Sequence, residues 1–235
     1  MNATRAASKN AELKKIRAFL NDALNDYIAA RVLLLSKLPQ QGAVLSSTAI
    51  EKYFKVVLAF RGNESRGHLK AAHWKAVRNF DPKLFSTLDL SFLELNRKCY
   101  QLRYTDDIPV GFNLVISTRE FLAELDHTAL SIQRSFVLAN DGKKQVTWFD
   151  SLLATRDDRL WRENHSLLGI PKQQYIEQAP PFIYELRQDS ARGLMEATYV
   201  AEGPPKVSGF LRPGFAPKDT SGMSYELAYG ESGEE

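Results

Sequence analysis

Between residues 10 and 138, apolar side chains return every three or four positions, the period of an α-helix. Leu13, Ile16, Leu20, Leu24, Tyr27, Ile28 and Val32 mark one face of a first helix over residues 10–37. Leu38-Pro39 ends it, because proline disfavours helical geometry in the residue before it. A second helix follows over residues 43–61, with Leu45, Thr48, Ala49, Tyr53, Val56, Val57 and Phe60 on a wide apolar face. Gly62 suits a C-terminal cap, and 62–67 is rich in turn formers.

A short third helix fits residues 68–80, with Leu69, Ala72, His73, Ala76 and Val77 inward. Asp81-Pro82 reads as the start of a new turn. A fourth helix begins at Lys83 or Asp89 and runs to Tyr104, carrying Phe92, Leu95, Cys99 and Leu102. A fifth begins at Asn113 or Ser117 and runs to Leu138, with Val115, Phe121, Leu122, Leu125, Ala129, Ile132 and Phe136. Short links between amphipathic helices predict an antiparallel bundle, four long helices and one short.

Beyond residue 140 the texture changes. One helix is expected over residues 148–164, from Phe149, Leu152, Leu153, Leu160 and Trp161. Prolines at 171, 180, 181, 204, 205, 213 and 217 then punctuate the chain, with strands expected at 182–186 and 197–200. The fold class is therefore mainly α: a bundle over 10–138 and a Pro-rich, mixed extension over 141–235, its last residues expected to fray.

Charge divides the same way. Up to Ala139 there are 20 Lys and Arg against 13 Asp and Glu; from residue 140 the counts are 11 and 15. A basic bundle with an acidic extension allows a phosphate-binding face, although a solvated surface is the plainer explanation. One cysteine excludes an intramolecular disulfide, and four scattered histidines do not make a zinc site. No apolar run reaches the roughly 18 residues a membrane span needs, and the first 15 residues lack a signal peptide's apolar centre. A cytoplasmic location and no membrane partner are expected.

Three segments carry a family resemblance: Asp26-Tyr27 through Leu35, Ser47 through Leu58 with Glu51-Lys52-Tyr53-Phe54-Lys55 at its centre, and Cys99-Tyr100-Gln101-Leu102-Arg103-Tyr104-Thr105-Asp106-Asp107. Together they resemble the HEPN domain, a helical family named for nucleotide binding, over residues 10–138. The resemblance implies a HEPN bundle acting as a homodimer, with RNA or nucleotide as ligand and an antitoxin-like protein as a further candidate partner. It implies no cofactor and no metal.

Many HEPN proteins are metal-independent ribonucleases with an Arg, four to six residues, then a His near the start of the last helix. A histidine can move the proton of a ribose hydroxyl while an arginine holds phosphate charge. Here Arg103 has no His in range, and Arg119 precedes His127 with seven residues between. The spacing recurs at Arg61–His68, Arg66–His73 and Arg159–His165, away from the family's position. Catalytic residues, if the chain is a ribonuclease, would be Arg103, Arg119 and His127. Candidate phosphate ligands are Lys52, Lys55, Arg61, Arg66, His68 and Arg103.

Three functions compete: a non-catalytic module contacting nucleotide or RNA phosphate, an assembly protein docking through segments such as 175–184, and a ribonuclease toxin or defence effector. No phosphate-binding loop, dinucleotide turn or nucleophile elbow occurs in the sequence.

Overall fold

The computed structural model describes residues 2–60, 71–140 and 143–201. Its helices are α1 (Asn2–Leu35), α2 (Pro39–Phe60), α3 (Ala71–Phe80), α4 (Pro82–Phe85), α5 (Leu90–Cys99), α6 (Thr118–Ser135), α7 (Trp148–Ala154), α8 (Asp158–Trp161), α9 (His165–Leu168) and α10 (Lys172–Glu177). Strands are β1 (Asn113–Ser117), β2 (Ala139–Asn140), β3 (Lys143–Lys144), β4 (Phe182–Asp189) and β5 (Gly193–Val200). A mainly helical fold is what the apolar period dictates, with a small antiparallel sheet of order β1-β4-β5 added.

Among the described elements, the helical hairpin α1–α2 forms the largest contact. Its turn is tighter than the sequence reading allowed. Lys37 takes the left-handed conformation (φ 59°), and α2 begins at Pro39 itself rather than at Ala43. Proline costs nothing in a first helical turn, where its missing N–H has no partner to lose. Gly42 lets the two helices meet there. A Cβ at Gly42 would lie 2.7 Å from Leu34 Cγ and 3.1 Å from the Ala30 carbonyl oxygen. Gly42→Val is therefore expected to cost about 1–3 kcal/mol by overpacking, measured as a lowered urea midpoint.

Both proposed starts of the fourth helix are used. Asp81 accepts from Leu84 N (2.8 Å) and caps α4; Asp89 accepts from Phe92 N (2.9 Å) and caps α5. Of the two starts for the fifth helix the later is used: Ser117 is the N-cap of α6, which begins at Thr118. Residues 113–117 form β1 instead, with Leu114 and Ile116 facing the core. The expected helix over 148–164 is broken into α7 and α8 by Arg156, which is left-handed at φ 50°. A capping box at Thr147 and Asp150 starts α7.

One apolar core runs through these elements. Tyr27, Tyr53, Phe54, Phe92 and Phe121 are fully buried at its centre, each contributing about 1.5–3 kcal/mol of burial. The core does not stop at residue 138: Phe149, Leu152, Leu160, Tyr175, Ile176, Tyr184 and Leu186 belong to the same cluster. Strand β4 pairs with β1 from Ser117↔Ile183 to Asn113↔Arg187, so residues 182–189 are stitched to the base of α6. Among the described residues, no helix is long and apolar enough to cross a membrane.

Candidate functional site

Helical spacing places Thr48, Glu51, Lys52 and Lys55 on one face of α2, about 10 Å from first to last at 1.5 Å per residue. The Lys55 ammonium lies 2.6 Å from Glu51, four residues earlier. The Lys52 ammonium lies 2.7 Å from Asp26 on α1. Arg103, in the 3-10 turn after α5, donates to the Thr48 hydroxyl, which in turn donates to the Val44 carbonyl (3.1 Å). The Arg103 guanidinium carbon also sits 4.7 Å from the centre of the Tyr100 ring. Three of the sequence-predicted phosphate ligands, Lys52, Lys55 and Arg103, thus share one surface. Arg61, Arg66 and His68 lie outside the described residues.

Arg119 and His127 do different work. Arg119 donates from Nε and from one terminal nitrogen to the Tyr175 carbonyl (3.1 and 2.8 Å). It also pairs with Glu163 (3.1 Å), reaches Gln178 (3.3 Å) and lies 4.1 Å over the Tyr175 ring. His127 Nε2 is 2.9 Å from the Thr87 carbonyl, in the turn between α4 and α5. Arg103 is engaged on α2, so within one chain the three residues of the ribonuclease reading are held by separate partners. Of the other spaced pairs, Arg159 is exposed and bonded to Asp157 while His165 is buried; His73 is buried too.

The most concentrated polar chemistry is inside. The side chains of Arg31 on α1 and Asp126 on α6 form an ion pair with no exposed surface. Asp126 Oδ1 also accepts from Tyr27 Oη (2.9 Å), and Asn164 donates to the same tyrosine oxygen (3.0 Å). Burial pushes the Asp126 carboxyl above the usual carboxylate range, while the Arg31 guanidinium and the Tyr27 hydroxyl pull it back. Arg31 donates further to the carbonyls of Arg159 (3.3 Å) and Arg162 (2.5 Å) at the end of α8. His165 bridges the carbonyls of Ala123 (3.0 Å) and Ile170 (3.2 Å), its ring stacked on Tyr175. Lys172 pairs with the buried Glu124.

Sequence reasoning missed this network, though a signal was present. Arg31 is four residues past Tyr27, and Asp126 is adjacent to Leu125 and four past Leu122, so both stand near the core phase of their helices. In the segment 175–184, a candidate docking surface in sequence, Tyr175, Ile176, Ile183 and Tyr184 are buried, while Glu177, Gln178 and Pro180 are exposed.

Cys99 is fully buried, and burial pushes its thiol well above the ordinary value. It is expected not to react with a thiol-specific reagent in native buffer and to react fully in denaturant; rapid native labelling would contradict its place in the core. Among the described residues, no three His, Cys, Asp or Glu side chains gather in a way that could hold a metal ion.

Comparison with known proteins finds no matching family model, no matching curated protein and no matching solved structure. The HEPN resemblance therefore stands on the three quoted segments.

Proposed function

We propose that this chain is a HEPN-like, non-catalytic binding module that contacts nucleotide or RNA phosphate and works as a homodimer. The observation that carries the reading is the convergence of Arg103 with Lys52 and Lys55 on one face of α2. Arg103 comes from a turn 55 residues along the chain, yet Thr48 fixes its guanidinium at the head of the lysine row. An arginine fork and two point-like ammonium groups are the donors that phosphate oxygens take.

The lysines already have carboxylate partners, Asp26 and Glu51, and both pairs are partly exposed. Both ammonium groups keep some exposed surface, so a polyanion can reach and compete for them. Catalysis is not part of the proposal, since Arg119 is spent on Tyr175 and Glu163 while His127 faces Thr87.

Fluorescence anisotropy with a short single-stranded RNA tests the reading. Binding is expected at low salt and should weaken as salt rises. Each phosphate contact contributes about 0.7 to the log–log slope, so Lys52→Ala/Lys55→Ala/Arg103→Ala is expected to reduce that slope by about 2. Absence of binding at low salt, or an unchanged slope in the triple variant, removes the proposal.

A further inference from the structure

We propose that residues 158–177 form a latch, held shut by two arginines of the bundle, that opens and closes as one unit while the rest of the core stays folded. The segment consists of α8, α9 and α10, helices of four, four and six residues. None is long enough to be helical without tertiary support. Their support comes from α1 and α6, the elements they pack against.

The grip is of one kind at both ends. Arg31 on α1 donates to the carbonyls of Arg159 and Arg162, the groups a helix end leaves without a partner. Arg119 on α6 donates twice to the Tyr175 carbonyl in the last helix of the segment. Between them His165 reaches the Ala123 carbonyl and Asn164 the Tyr27 hydroxyl. Leu160, Tyr175 and Ile176 supply the apolar contact.

Backbone strain flanks α8, and some of the buried polar atoms without partners lie in the segment or directly beneath it on α6. Arg156 and Glu163, the joints on either side of α8, are two of the three non-glycine residues of positive φ among those described, at 50° and 53°. Asp126 Oδ2, Tyr175 Oη, Trp161 Nε1 and Glu124 Oε2 are buried without a hydrogen-bond partner. The central ion pair is fully desolvated, an arrangement whose Coulombic gain is largely offset by the hydration it gives up. Opening rehydrates these groups and relaxes both joints. These releases offset part of what the latch loses by leaving the core. Opening bares the guanidinium groups of Arg31 and Arg119 on the bundle.

Hydrogen exchange of the full-length chain, followed by mass spectrometry at the peptide level, tests the inference. Peptides across 158–177 are expected to exchange together, at least tenfold faster than those of α2 and α6. Asp126→Asn, which leaves the Arg31 charge half-paired, should speed 158–177 by a further tenfold or more with α2 unchanged. Leu160→Ala, which weakens the apolar contact and touches no charge, should act in the same direction. The inference is overturned if 158–177 exchanges at the rate of α2 in the parent chain, or if the two variants loosen α2 as much as the latch. Independent exchange of α8, α9 and α10 would equally overturn it.

Discussion

Asp126→Ala is expected to lower the unfolding free energy by about 3–5 kcal/mol, because it strands the Arg31 charge in the interior. Both side chains of the pair are without exposed surface, and no other carboxylate is bonded to that guanidinium among the described residues. Tyr27 loses its acceptor at the same stroke, and a buried unpaired donor costs about 1–3 kcal/mol by itself. The two losses overlap, so they do not add. Arg31→Met/Asp126→Leu removes both charges and keeps most of the volume; it should recover the greater part of the deficit. Urea unfolding followed by circular dichroism measures all three chains. A loss below about 1 kcal/mol for Asp126→Ala would mean that the pair behaves as an exposed one, contrary to its burial.

Phe121→Ala is expected to cost about 3–5 kcal/mol, the cavity and transfer loss of a fully buried ring. Phe121 is on α6 and meets Phe92 of α5 edge-to-face, centroids 5.2 Å apart. Phe92 is held by the Asp89 cap of α5, and the base of α6 by the β1–β4 pairing, so little can collapse into the space. Phe121→Leu should lose much less, since it keeps most of the apolar contact. The same urea series reports both, and near-equal losses for Ala and Leu would place Phe121 outside the core.

The mainly helical character of the fold was legible because its signals are local. Leu20, Leu24, Tyr27 and Ile28 repeat at helical spacing and are all buried, and Asp81 caps where an Asp-Pro start predicts it. Strand β1 was not legible, since its five residues fit the front of a helix and their partner strand lies 70 residues away at Ile183–Arg187. Only that pairing, through Ile116↔Tyr184 and Leu114↔Leu186, decides between strand and helix. The break at Arg156 was hidden for a related reason: the apolar period of Leu152, Leu153, Leu160 and Trp161 continues across it.

The candidate site divides along the same line. Lys52 and Lys55 could be placed on one face from spacing alone. That Arg103 joins them through Thr48, and that Asp26 crosses from α1 to Lys52, are contacts over long separations that no spacing encodes. Arg31 and Asp126, 95 residues apart, are the extreme case. A charged residue in the apolar phase of a helix was the available sign, and two such residues of opposite sign on different helices are a reason to suspect a buried pair.

Nuclear magnetic resonance shift mapping with a short single-stranded RNA bears most directly on the phosphate-contacting face. The account predicts the largest backbone shifts at Thr48, Lys52, Lys55 and Arg103, fading as salt is added, with Arg119 and His127 little moved. Shifts centred on Arg119, Glu163 and His127, or no shifts at low salt, would contradict it.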